Sequence, residues 1–177
     1  INHSGTYEIF KPAIAEETID LVDIYSLTKV ENVNGMINSP DYIIQRLSNL
    51  GINTVNAVVD ITNYLMIEQG QPLHAFDSDK IEKLVGKKVN QADFGIRKAN
   101  EGEEFVGLDK KLYLLTNTCH VITCCDYPIA VAGVIGSENS SVNNNTKSIW
   151  LESAVFASKM VRNNSRSIGI RTESSSR

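Results

Sequence analysis

NAVVDITNYLMIEQGQPLHAFD, residues 56–77, joins an amphipathic helix to a turn and then to a histidine set among apolar neighbours. Val55, Val58, Val59, Leu65 and Met66 recur at helical spacing and predict a helix from about Thr54 to Gln69. Threaded between them are Asp60, Thr62 and Asn63, polar groups that a plain core helix does not need. Gly70 stops the helix, as a glycine just past a C-terminus does. Pro72 then imposes an extended or turning path, and His74 follows at once. A hydroxyl, an amide and an imidazole are thus gathered near one helix end, which makes this stretch a candidate pocket wall.

Upstream, Tyr25 to Val33 alternates β-branched and polar residues and reads as a strand. Ser39-Pro40 reads as a helix start, with serine at the cap and proline in the first helical position. Tyr42, Ile43, Leu47 and Leu50 fill one face of that helix, and Gly51 ends it. Downstream, short strands are predicted near His74 to Phe76, Lys88 to Arg97, Phe105, Leu112 to Leu115, His120 to Cys124 and Ile129 to Ala132. A further strand runs from Ser148 to Ala154, and a helix from Ser158 to Ile168 closes at Gly169. Residues 1–15 read as a loose lead-in. Helices and strands are intermixed without an internal repeat. The expected fold is therefore α+β, mixed sheets packed with helices, as one domain over residues 1–177 with two intimate subdomains, 1–85 and 86–177.

A chain of 177 residues with 42% hydrophobic content is long enough for a sizeable core. No apolar run reaches membrane-spanning length, so no membrane role is expected, and no signal peptide is legible. The chain starts at Ile1 and stops at Arg177 inside a recognisable motif, and it reads as excised from a longer protein. Cys119, Cys124 and Cys125 are an odd number in or beside an apolar strand. They read as reduced core residues, since a zinc site lacks a second ligand pair. A formal net charge of −4 argues against a protein that holds nucleic acid unaided.

Three features carry candidate chemistry. Glu152 sits in IWLESAVF among apolar and small neighbours, where an unpaired carboxylate is costly to bury. Either a backbone turn or an arginine such as Arg171 satisfies it, or it serves a ligand. AVAGVIGS, residues 130–137, holds Gly133 and Gly136, which fit a tight turn beside a strand equally well as a backbone approached by a ligand. Lys159, Arg162 and Arg166 form a basic stripe on the last helix. That stripe is either a solvated face or a contact for an RNA end or another part of a longer protein. No Ser-His-Asp or Cys-His pairing is legible, so any hydrolysis would use an oriented water.

Five motifs in order, VVDITNY, GQPLHAFD with DKI close behind, AGVIGS, LESAVF and GIRTESS, closely resemble the central domain of the beta subunit of bacterial-type phenylalanyl-tRNA synthetase. The resemblance covers about Ser39 to Arg177. It implies a cytoplasmic proofreading module that hydrolyses tyrosine wrongly attached to the phenylalanine tRNA. The alternative is a non-catalytic domain of the same fold that binds tRNA or a protein, or serves as a scaffold. The partners implied are that tRNA, the synthetase alpha subunit and the remaining beta-subunit domains. ATP and magnesium would belong to the parent synthetase, with no cofactor in this segment.

By the same resemblance Glu152 recognises the tyrosine hydroxyl, and Thr62 and Asn63 hold the α-amino and carbonyl groups. His74 lies near the scissile ester, as donor or water-orienting group. Gly133 and Gly136 form the pocket floor, and Thr172 and Ser174 stand near its mouth. The chemistry is coherent. An apolar pocket rejects an isostere with one added hydroxyl by only about a hundredfold, whereas a site built to bond that hydroxyl rejects its absence by roughly 10⁴ or more. The chain departs from the family at Ser137, where a second glycine is usual, and at Glu173-Ser174, where aspartate and alanine are more frequent. Both changes would narrow or polarise the pocket.

Overall fold

The alternation of side chains along one central strand organises the molecule. In a computed structural model that describes residues 13–172, strand β10 (Ile149–Phe156) lies between β2 (Val22–Val30) and β3 (Leu73–Asp77), antiparallel to both. Successive residues of a strand face opposite sides. Trp150, Glu152 and Ala154 therefore share one face with their register partners: Tyr25 and Leu27 of β2, His74 and Phe76 of β3. Ala75, Ile149 and Leu151 share the other. The first face is buried against a second sheet and the other against a helix.

That second sheet has the order β1-β4-β7-β8-β9, with β1 (Ala13–Ile14), β4 (Phe94–Lys98), β7 (His120–Cys124), β8 (Tyr127–Val131) and β9 (Ile135–Gly136). Only β1 and β4 pair in parallel. The main core lies between the sheets and includes Leu27, Phe76, Trp150, Phe94, Ile96 and Ile122. Trp150 packs on Phe94 with ring centroids 5.1 Å apart. A small hairpin, β5 (Glu103–Val106) with β6 (Leu112–Leu115), adds Phe105 and Leu115 to a second core around Val121 and Val131. The expected mixed α+β class is what the chain adopts. Strands from before and after residue 85 interleave in the three-stranded sheet.

Four α-helices surround the sheets among the described residues. Helix α2 (Ala57–Gln69) is the one expected from residues 56–77. Asn56 caps it by accepting from the Val59 N–H, and Gly70 ends it in the left-handed conformation. Val58 of this helix packs on the outer face of the three-stranded sheet, with Ala75 and Ile149. Helix α1 (Asp41–Asn49) starts one residue later than expected, and Pro40, not Ser39, is its cap. The Ser39 hydroxyl instead donates to Asp60 Oδ2 at 2.5 Å, while Asp60 Oδ1 accepts from the Val55 N–H. The buried Asp60 carboxylate thus draws the serine away from its own helix.

Helix α3 (Ser78–Val85) was not expected, although its signals are present: Asp77 caps it by accepting from the Lys80 N–H, and Gly86 follows it. The strand predicted over Lys88 to Arg97 is shorter and later, because Asn90 and Asp93 form a reciprocal capping box around a 3₁₀ turn. Helix α4 (Ser158–Ile168) has the predicted bounds. Asn164, fully buried, clips it to the sheet. Its Oδ1 accepts from the His120 N–H at 2.9 Å, and its Nδ2 donates to the His120 and Ala132 carbonyls. All three cysteines are unpaired, Cys119 and Cys124 in the core and Cys125 half-buried at a turn.

Candidate functional site

His74 and Glu152 are register partners across β3 and β10. Directly opposed residues of an antiparallel pair hold their Cβ atoms about 4.5–5.5 Å apart. Both side chains face the intersheet side, at the edge where the core gives way to a cleft of about 830 Å³. β3 and the loop before it form one wall, β8 and the following turn form the floor, and α4 forms the other wall.

Glu152 is 6% exposed, and no residue among those described gives its carboxyl a hydrogen bond or an ion pair. Burial alone pushes its pKa up from 4.5 to about 8. Arg171 lines the same cleft, but no cation contributes to the proton affinity of Glu152. The expectation of a carboxylate satisfied by Arg171 is therefore not met.

His74 packs edge-on against Phe76, with ring centroids 4.6 Å apart. Its Nε2 is closed off from solvent and has no hydrogen-bond partner. Burial lowers its pKa from 6.5 to about 4. Near neutral pH the proton of this pair sits on the carboxyl and the imidazole is neutral. A neutral acid can both donate to and accept from a polar ligand without an unpaired buried charge, and the neutral imidazole can serve such a ligand through Nδ1, the nitrogen not closed off against Gly136. Tyr25, on the same sheet face, has a buried hydroxyl without a partner, and its pKa is driven well up by its own burial and then by the nearby Glu152.

The two floor glycines have separate physical reasons. Gly133 has φ +70°, and a Cβ there would lie 2.8 Å from Val161 Cγ2 of α4. Gly136 carries the ring of His74 directly: a Cβ would lie 2.5 Å from His74 Nε2 and 2.6 Å from its Cε1. Both readings of AVAGVIGS thus apply, a tight turn and a close approach, but the group that approaches Gly136 is a side chain of the protein itself.

Of the residues singled out in the sequence, His74, Gly133, Gly136, Glu152 and Thr172 line the cleft together. Thr172 donates to the Val134 carbonyl at 3.0 Å. Ser174 lies outside the described residues. Thr62 and Asn63 are not among the lining residues, and the Thr62 hydroxyl donates back to the Val59 carbonyl within its helix. Ser137 is buried away from the cleft, where its hydroxyl accepts from the Asn139 N–H. The basic stripe divides: Arg162 and Arg166 line the cleft, and Lys159 does not. Sequence reasoning missed the rest of the α4 wall, Ser158, Val161 and Ser165, although with the two arginines they follow helical spacing. It also missed Gln71, whose amide bonds the Pro72 and Ala154 carbonyls and so ties the loop before β3 to β10.

Among the described residues no cluster of three or more His, Cys, Asp or Glu could hold a metal ion, and no helix is long and apolar enough to cross a membrane.

The sequence matches the B3/4 domain family over residues 21–177. It is 51% identical to the phenylalanine–tRNA ligase beta subunit of Prochlorococcus marinus (strain NATL2A), over 100% of this chain and 22% of that protein. It is 52% identical to the corresponding subunit of Parasynechococcus marenigrum (strain WH8102), over 93% of this chain and 20% of that protein. The chain thus spans about a fifth of the length of the curated relatives it matches. Its fold is similar to that of an N-terminal fragment of the phenylalanyl-tRNA synthetase beta subunit from Pyrococcus horikoshii. The TM-score is 0.55 at 14% identity, covering 93% of this chain and 51% of that one. With a match that takes in the cleft from His74 to Thr172, the chain belongs to the B3/4 domain family.

Proposed function

We propose that this domain is the proofreading pocket of a phenylalanine–tRNA ligase beta subunit, and that it hydrolyses the ester of tyrosine wrongly attached to the phenylalanine tRNA. The observation that carries the reading is the buried carboxyl of Glu152, which receives no hydrogen bond or ion pair from the described residues and faces a cleft opposite His74. A polar group buried without a partner destabilises a fold by a few kcal/mol. A ligand hydroxyl would supply the missing partner, and a tyrosine ring presents one where phenylalanine presents only C–H. The correct product entering the same cleft would leave Glu152 unsatisfied, which is the discrimination the chemistry requires.

His74, neutral at physiological pH, would act as a positioning group for water or the ester and not as a strong base, because its pKa of about 4 makes it a weak proton acceptor. The water oxygen would bond to the ester carbonyl carbon, the bond to the ribose oxygen would break, and the water proton would end on that oxygen. An aminoacyl ester is reactive enough for positioning to supply much of the rate. ATP- and magnesium-dependent aminoacylation, the alpha subunit and the bulk of the tRNA contacts would belong to the rest of a longer cytoplasmic synthetase. A binding-only role is favoured by one observation, that Thr62 and Asn63 stand apart from the cleft.

The test is deacylation of tyrosyl- and phenylalanyl-tRNA by the full-length protein, with and without Glu152→Ala. Selective clearance of the tyrosyl ester by the wild type, lost in the variant, is expected. Clearance of neither ester by the wild type would overturn hydrolysis in favour of a non-catalytic binding or scaffold role.

A further inference from the structure

We infer that the α4 wall of the cleft is a phosphodiester-binding rim, in which Arg162 and Arg166 grip the single-stranded RNA end that carries the ester into the pocket. The inference rests on the proofreading reading for the identity of the carrier. The cleft-lining residues of α4 are Ser158, Val161, Arg162, Ser165 and Arg166, one continuous helical stripe. The inner part, at Val161, closes on Gly133, and the arginines occupy the rest of the face. Both are exposed, and neither forms an ion pair with any described residue.

The charge distribution is selective. The chain as a whole carries −4. Yet the described residues lining the cleft include three arginines, Arg162, Arg166 and Arg171, and one acid, Glu152, whose pKa burial raises to about 8. Helix α4 contains no acidic residue, and among the described residues no acid other than Glu152 lines the cleft. A basic wall in an acidic protein is placed where a carrier must cross, because the amino acid has to reach Glu152 at the inner end.

The geometry fits successive phosphates of one strand. Arg162 and Arg166 stand four residues apart on one helix, with Cβ atoms about 5–6 Å apart. Each guanidinium presents a planar fork matched to two phosphate oxygens. A cleft of about 830 Å³ accepts an aminoacyl nucleoside but not a duplex. The carrier at the rim is therefore a single strand.

The experiment measures binding, which needs no hydrolysis. A short fluorescent single-stranded RNA ending in CCA is titrated into the full-length protein at several salt concentrations. Wild type is compared with the double variants R162Q/R166Q and R162K/R166K, and with K159Q. Each single-strand phosphate contact contributes about 0.7 to the slope of log affinity against log salt. R162Q/R166Q is expected to flatten the slope by about 1.4, which makes its affinity at least several-fold weaker at low salt.

R162K/R166K, which keeps the charge, should retain most of the slope. K159Q removes one positive charge from the same helix away from the cleft and should match the wild type. Equal slopes for wild type and R162Q/R166Q would overturn the rim, as would an equal effect from K159Q. If the slope flattens as expected but no tyrosyl ester is hydrolysed, the rim stands and the hydrolytic reading fails.

Discussion

Replacing Glu152 by glutamine should stabilise the fold, by an amount that grows with pH. Glutamine has nearly the same shape and cannot ionise, so the difference between the two proteins isolates the carboxyl proton. The folded-state pKa of Glu152 is raised from 4.5 to about 8. Between those values the native state holds a proton that the unfolded chain has released, and stability falls as pH rises through that window. At 1.36 kcal/mol per unit, the full loss is about 5 kcal/mol once both states are ionised. The glutamine variant should match the wild type near pH 4, exceed it by about 3 kcal/mol at pH 7 and by about 5 kcal/mol at pH 9.

His74, with its pKa lowered to about 4, weakens the fold on the acid side: the unfolded chain binds a proton below 6.5 that the native state refuses until about 4. That contribution is common to both proteins and cancels in the difference. Urea unfolding followed through Trp150, the chain's single tryptophan and a residue of the same strand, reads the effect. A stability difference that is flat from pH 4 to pH 9, or a variant less stable than the wild type at pH 9, would refute the reasoning. A residue whose removal strengthens the fold is one that folding alone does not explain.

Other perturbations have equally specific outcomes. Gly136→Ala sets a methyl group 2.5 Å from His74 Nε2. It should cost about 1–3 kcal/mol in thermal unfolding and, by displacing the imidazole, lower tyrosyl-tRNA hydrolysis by about a hundredfold. Thr146→Val removes the hydroxyl that donates to buried Asp77 Oδ2 and accepts from the Asn143 N–H. Urea denaturation should show a loss of about 2–3 kcal/mol. Asn164→Ala strips three bonds from the backbones of His120 in β7 and Ala132 just after β8, and should cost roughly 3–5 kcal/mol. Hydrogen exchange would report α4 as the first helix to open.

Much of this architecture was legible because its signals are local. Ser158 to Ile168 shows helical spacing up to a glycine, and Leu112 to Leu115 and His120 to Cys124 are short apolar runs bounded by turns. Their boundaries came out as expected. Helix α3 was overlooked although Asp77 and Gly86 mark both its ends. Ser39 failed as a cap because a buried carboxylate from another helix competed for its hydroxyl. No local pattern encodes such tertiary competition.

The site shows the same division. That Glu152 needs an explanation is visible in IWLESAVF; that it stands opposite His74 is a matter of register between strands in opposite halves of the chain. The resemblance to a family supplied the pairing of roles, and strand register supplied the geometry. For Thr62 and Asn63, the resemblance implied substrate contacts, and their place in the same stretch as His74 agreed with it. Helix α2, however, sends Val58 to the outer face of the sheet, whereas His74 faces inward.

The place of β10 has a kinetic consequence. It is the central strand of its sheet, yet it is made long after both of its neighbours. Until Ile149–Phe156 has left the ribosome, β2 and β3 have no strand between them, and Glu152 and His74 cannot meet. Closing such long loops is entropically slow, so insertion of β10 is expected to be a late and rate-limiting event. Trp150 moves onto Phe94 in that same step, so its fluorescence would time the birth of the pocket.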